Sequence, residues 1–388
     1  MNKIINERIE KKDINKYIEY LFIFGVLVYS FLKVFDYSQI IDMTSKQRSV
    51  LRAITLLSIV PKAILQKRNK QELYIAICLE GFAIISYLFS SSLRMLILPT
   101  MLIGMKDIDI KKLIKCIFFI TIAAIIIHVI GFAYVYYGEN KTFVGLLHFD
   151  KYLKKNVVLY NENNFFAERA ALASAEYVYI TNRDNKRFIK LLCVLLYSVF
   201  ILFISQSWAS VAIIVLVAFF LLLEKNKFVV KYLSSFKTLT IILSLMISIL
   251  ILFGGGLIDT NHIVNLINRA LSGRVYWCSL AKNTIGLSLL PQTFKFEEMI
   301  STMPVDNALS GIVLRWGVIF SLIYLIFVYY FAIKCKHDEI TNYYIILLAL
   351  WYITEVYPIE LLSLPLLLIM FSNIYSQTTV YVNEERMR

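Results

Sequence analysis

The chain alternates long apolar blocks with short polar links, and those blocks dictate its architecture. Most run for about 18–25 residues, the length at which a helix crosses the apolar part of a bilayer. Backbone groups in hydrocarbon find no water, so a spanning block must be a helix or part of a closed barrel. Barrel strands alternate apolar and polar positions, and these blocks do not. The pattern predicts an all-α polytopic integral membrane protein.

In order, the blocks predict about twelve transmembrane helices. Tyr17–Phe35 follows the charged stretch Met1–Lys16 without a small-residue cleavage site, so it reads as a retained anchor. Ser49–Leu65 is interrupted by Arg52 and Pro61; Leu73–Phe89, Leu93–Gly104 and Cys116–Tyr137 follow it. An external loop, Gly138–Asn161, leads to Asn163–Ile180, Leu191–Ile204, Trp208–Leu223 and Thr238–Leu257. Asn307–Ile333, Tyr343–Tyr357 and Ile359–Tyr375 complete the set.

Between Thr238–Leu257 and Asn307–Ile333 lies the polar, aromatic stretch Asp259–Asp306. It predicts one large extracytoplasmic loop, 259–306, within a single transmembrane domain, 1–388. Inside it, Asn261–Leu271 sets Ile263, Leu266, Ile267 and Ala270 on one helical face. After a cap at Ser272-Gly273, Arg274–Thr284 reads as a second short helix with Val275, Cys278 and Leu280. Such helices lie in the plane of a membrane interface.

Composition sharpens this picture. The chain is 59% hydrophobic and 17% charged, with mean hydropathy +0.68, whereas a soluble domain carries nearer a quarter of its residues charged. The net charge of +13 lies in links such as Lys67–Glu72, Lys106–Lys115 and Arg183–Lys190. Roughly twice as many Lys and Arg fall on the predicted inner links as on the outer ones, which puts both termini in the cytoplasm. Topology thus accounts for the charge, and no nucleic-acid partner is expected. Five cysteines form no C-x-x-C pair, and four histidines show no metal-ligand spacing. No metal and no cofactor are expected.

Ionisable groups inside spans cost roughly 3 kcal/mol each on insertion scales, so they pair or line a cavity. Arg169 has Glu162 and Glu176 seven residues to either side, on one helical face. Arg315 lies two turns beyond Asn307, Glu80 near the middle of its span, and His128 in the outer half of another. Arg94 and Glu355 sit toward outer span ends. Most fall in the outer half, which points to an outward-facing cavity. Two bland readings stay open: Arg169 snorkels, and Glu80 pairs with a neighbour. In the loop, Arg269 and Arg274 suit a phosphate, because guanidinium donates two parallel hydrogen bonds to its oxygens. They equally suit ordinary anionic headgroups. His262 is a candidate base or a plain surface residue.

Four stretches together resemble the Wzy-type bacterial polysaccharide polymerases, relatives of the O-antigen ligases. They are Tyr160-Asn161-Glu162-Asn163-Asn164-Phe165-Phe166-Ala167, Ser205-Gln206-Ser207-Trp208-Ala209-Ser210, Leu271-Ser272-Gly273-Arg274-Val275-Tyr276-Trp277, and Val305-Asp306-Asn307-Ala308 with Leu314-Arg315-Trp316-Gly317-Val318-Ile319. They cover roughly the second half of the chain. The resemblance implies a metal-independent, inverting glycosyltransferase of the bacterial cytoplasmic membrane, working at its outer face. It would polymerise undecaprenyl-diphosphate-linked oligosaccharide units, donor and acceptor alike, into capsule, exopolysaccharide or O-antigen. A chain-length regulator and a flippase of the same pathway are implied partners. Arg274 would hold the diphosphate and Asp306 would orient or deprotonate the attacking hydroxyl. Gln206 stands where relatives have arginine, and Arg169 is our candidate to replace that charge. Arg315 falls where relatives carry a neutral or acidic residue, so no family role passes to it. Two alternatives accompany this expectation: a ligase of the same superfamily, and a transporter or flippase of lipid-linked sugars. Transporters usually show internal repeats and broken helices, and no convincing repeat is visible.

Overall fold

The computed structural model describes residues 2–35, 38, 41, 43–90, 93–138, 163–181, 186–205, 208–223, 226–292, 305, 307–334, 338–354 and 368–369. Asp306, Glu162, Glu355, Gln206, most of the Gly138–Asn161 loop and most of the Ile359–Tyr375 span lie outside them. Among the described residues the chain is α-helical, without a β-strand. The helices are α1 (Asn2–Val34), α2 (Ser45–Leu65), α3 (Lys70–Ser90), α4 (Arg94–Gly104), α5 (Ile110–Gly138), α6 (Asn163–Thr181) and α7 (Arg187–Ser205). There follow α8 (Trp208–Leu223), α9 (Lys227–Phe253), α10 (His262–Ala270), α11 (Arg274–Ile285), α12 (Ala308–Lys334) and α13 (Glu339–Thr354). A 3-10 turn, Gly254–Leu257, extends α9.

Among the described residues, five stretches are long and apolar enough to cross a membrane: Ile14–Val34, Glu72–Phe89, Ile110–Gly131, Lys227–Leu257 and Ala308–Ile326. Their outward surfaces are apolar too. Phe24, Leu88, Ile130, Phe236, Met246 and Ile326 all stand exposed. Water would penalise so broad an apolar surface, and a bilayer takes it without cost. The molecule is a helical membrane protein in composition and in surface.

Helix ends follow local chemistry. Thr44 and Gln47 form a reciprocal capping box at the start of α2, with the Thr44 N–H donating to Gln47 Oε1 at 2.8 Å. Asn226 caps α9 through its side chain, and Asn261 caps α10 in the same way. The charged segments before Tyr17 and before Thr238 continue their helices, so α1 and α9 are longer than the apolar blocks within them.

Contacts divide the chain into two compact units. The first, Met1–Asn69 with Thr100–Leu222, packs α1 on α2 and α5, and α6 on α5 and α7. The second, Lys70–Pro99 with Leu223–Arg388, packs α9 against α11, α12 and α13, and α3 on α12. The core of the second unit joins Ile251, Leu252, Val275, Cys278, Val305, Leu309, Leu314 and Ile353. Phe320 of α12 meets Phe82 and Phe89 of α3, with ring centroids 5.3 and 6.3 Å apart.

Candidate functional site

The loop helices read from the sequence are present as α10 and α11, joined by a tight left-handed turn. Ser272 has φ +54° and Gly273 φ +83°. Glycine adopts this conformation freely, so the strain falls on Ser272. The Gly273 N–H donates to Asn268 O at 2.7 Å, and Asn268 Oδ1 accepts from the Tyr276 N–H at 3.1 Å. One asparagine therefore holds both helices at the turn. Arg274 opens α11, half-buried, and its Nη1 donates to Leu271 O at 3.1 Å. That folds the guanidinium over the end of α10, where helix carbonyls lack partners. Arg269, in the last turn of α10, is exposed, as is His262 in the first.

Helix α11 is pinned from below. Ser279 Oγ accepts from the Gly255 N–H at 2.9 Å and donates to Leu252 O at 3.3 Å. Val275, next to Arg274, and Val305, next to Asp306, belong to one buried cluster. Two stretches thirty positions apart in the chain thus share a core.

Asn307 is wholly buried and joins three helices. Its Nδ2 donates to Ser248 Oγ of α9 at 3.1 Å and to Tyr352 O and Ile353 O of α13 at 3.1 and 3.2 Å. Its Oδ1 accepts from the Ser310 N–H at 3.0 Å, which caps α12. Asp306 itself lies outside the described residues, while Val305 and Asn307 on either side are 1% and 0% exposed.

Helix α12 is not continuous. Gly317 has φ +77° and ψ +167°, a conformation that in practice only glycine adopts. The backbone bonds released there are taken up by the stretch after α11. Gln292 N–H donates to Arg315 O at 2.9 Å, and Val318 N–H to Ser288 O at 2.8 Å. A Cβ on residue 317 would lie 2.6 Å from Leu290 C and O. By its sequence this region reads as the start of an ordinary span. The one available signal was a glycine in an apolar run, beside an arginine. Arg315 sits at the break, half-buried.

The remaining candidates are placed as follows. Glu80 is half-buried on α3, in the second unit. Arg169, in the first unit, is 1% exposed and does not snorkel. Its Nη2 donates to Lys33 O at 3.0 Å and its Nε to Val34 O at 3.3 Å, capping α1. Glu168, equally buried, pairs with Nη1 at 3.4 Å. His128 is fully buried, with Nδ1 2.7 Å from Ala124 O and Nε2 2.8 Å from Ser38 Oγ. A carbonyl only accepts, so Nδ1 carries a proton and donates it to Ala124 O. Ser38, Ser248 and Gly317 were not foreseen, because each acts through a partner far away in sequence.

Comparison of the chain with known protein families, with curated proteins and with solved structures finds no match.

Proposed function

We propose that this protein is an inverting glycosyltransferase that polymerises undecaprenyl-diphosphate-linked oligosaccharides at the outer face of a bacterial cytoplasmic membrane. In this reading the chain crosses the bilayer about twelve times, with both termini in the cytoplasm. The observation that carries the proposal is the shared core of Val275 and Val305. It ties the S-G-R turn to the stretch Val305-Asp306-Asn307, the two elements to which the resemblance assigns the chemistry.

The chemistry follows from the residues. The anomeric C–O bond of the donor breaks through an oxocarbenium-like transition state. Charge gathers on the departing diphosphate, and a fixed guanidinium at Arg274 stabilises that state more than the ground state. Arg269 adds positive potential from the exposed last turn of α10. Asp306 takes the proton of the attacking sugar hydroxyl, help that is typically worth about two to four orders of magnitude in rate. Arg169 now has a structural task, so a diphosphate role for it rests on charge alone.

The test is polymerisation of lipid-linked repeat units by purified protein in liposomes, with products sized on a gel. R274A abolishes the ladder, and D306N loses most of it with the protein still inserted. A ladder unchanged by both substitutions overturns the reading.

One observation favours a second reading, a flippase of lipid-linked sugars. Broken helices paired with irregular backbone mark transporter sites, and α12 is broken at Gly317. Liposomes that move lipid-linked sugars across the bilayer without lengthening them decide for it.

A further inference from the structure

The first unit holds an acid that the proposed chemistry does not use. Glu176 of α6 is 1% exposed, and neither of its carboxyl oxygens has a hydrogen-bond partner. From α5 the facing group is the Thr121 hydroxyl, which lies close but out of bonding geometry. The Thr121 hydrogen is already donated to Ile117 O at 3.1 Å, so its oxygen can only accept. From α7 the facing group is Tyr197, within electrostatic range of Glu176, and its hydroxyl is likewise without a partner. On α6 itself the nearest basic residue in sequence is Arg169, two turns away and engaged with α1 and Glu168.

A cavity of about 270 Å³ opens between α5, α6 and α7; Tyr197 lines it, while Glu176 lies behind that lining. Phe118, Ser174, Tyr177, Cys193 and Tyr197 line it, so Glu176 is flanked in sequence by lining residues and faces one of them across the helix pair. A bare carboxylate is strongly disfavoured in such surroundings, and a proton is the one counter-ion that needs no further side chain. We propose that Glu176 is a proton-binding site inside the helix bundle, loaded and unloaded through the cavity between α5, α6 and α7.

Dicyclohexylcarbodiimide, an apolar reagent, tests this on the full chain in liposomes. The carboxyl O–H adds across one C=N bond: the oxygen bonds the central carbon and the proton goes to nitrogen. An acyl shift from oxygen to nitrogen then leaves a stable N-acylurea, with nothing lost. The site predicts one such adduct on the peptide containing Glu176, found by mass spectrometry. Its rate falls about tenfold per pH unit on the alkaline limb, because only the protonated acid reacts. Alkylating Cys193 with N-cyclohexylmaleimide beforehand slows it several-fold, and C193S removes that protection. No adduct at Glu176 while other carboxyls react, or a rate that does not change with pH, overturns the proposal. Every arm keeps Glu176 itself, so the test does not depend on a variant of that acid folding.

Discussion

Asn307 Nδ2 and Ser248 Oγ lie 3.1 Å apart in a wholly buried contact between the start of α12 and the interior of α9. The same amide reaches two carbonyls at the end of α13. Three helices therefore meet on one side chain, one position from Asp306. In the proposed reaction the base must be aimed, and Asn307 fixes the backbone one position away from it.

The anchor is tested by N307D. Aspartate keeps the shape and the cap, but it turns a donor toward Tyr352 O and Ile353 O into a second acceptor. The expected loss is about 1–3 kcal/mol for the unsatisfied groups, read as a lower melting temperature in detergent. N307D no less stable than the parent would show that these bonds carry nothing.

Gly317 sets a second test. G317A forces a side chain into a conformation costing about 1–3 kcal/mol and drives Cβ into the Leu290 backbone. A disulfide between S288C and V318C, whose backbones bond at 2.8 Å, forms readily in the parent. Its yield drops severalfold in G317A as the stretch lifts away from α12.

Arg169 separates structure from chemistry. R169A strands two carbonyls of α1 and leaves Glu168 without this bridge, an effect of about 3–5 kcal/mol for a buried pair. R169K keeps the charge but lacks the fork that spans Lys33 O and Val34 O. Both variants are expected to lower the melting temperature. Should R169K stay stable and still lose polymer, the guanidinium has a second task at the substrate.

R274K distinguishes a phosphate clamp from a plain positive charge. A lysine keeps the attraction and loses the bidentate geometry. The expected result is polymer output reduced by about tenfold or more, between the parent and R274A.

Asp109 gives a pH dependence outside the membrane. Burial is the largest single influence and raises its pKa, but the Lys112 N–H bond at 3.1 Å, the Lys112 ammonium at 3.2 Å and the Lys111 N–H together outweigh it. The net result lies below the usual carboxylate range. A depressed folded pKa adds stability that is present at neutral pH and is lost as pH falls through that lowered value. D109A should cost about 1 kcal/mol at neutral pH and nothing in strong acid, while D109N keeps most of the cap. Thermal unfolding across pH checks both.

What the chain determined by itself is whatever depends on neighbours in sequence. Apolar blocks demand helices, because backbone groups in hydrocarbon must bond within their own segment. The period of Ile263, Leu266, Ile267 and Ala270 marked α10, and Ser272-Gly273 marked the turn into α11. Only the tertiary structure decided the rest. It broke α12 at Gly317, where the N–H of Val318 finds Ser288 O instead of a carbonyl in its own helix. It set Arg169 on the end of α1 and Asn307 on α9 and α13, and it buried Glu176 without a hydrogen-bond partner. Hydropathy weighs each residue in its own window, so it cannot say which distant backbone will accept a given hydrogen.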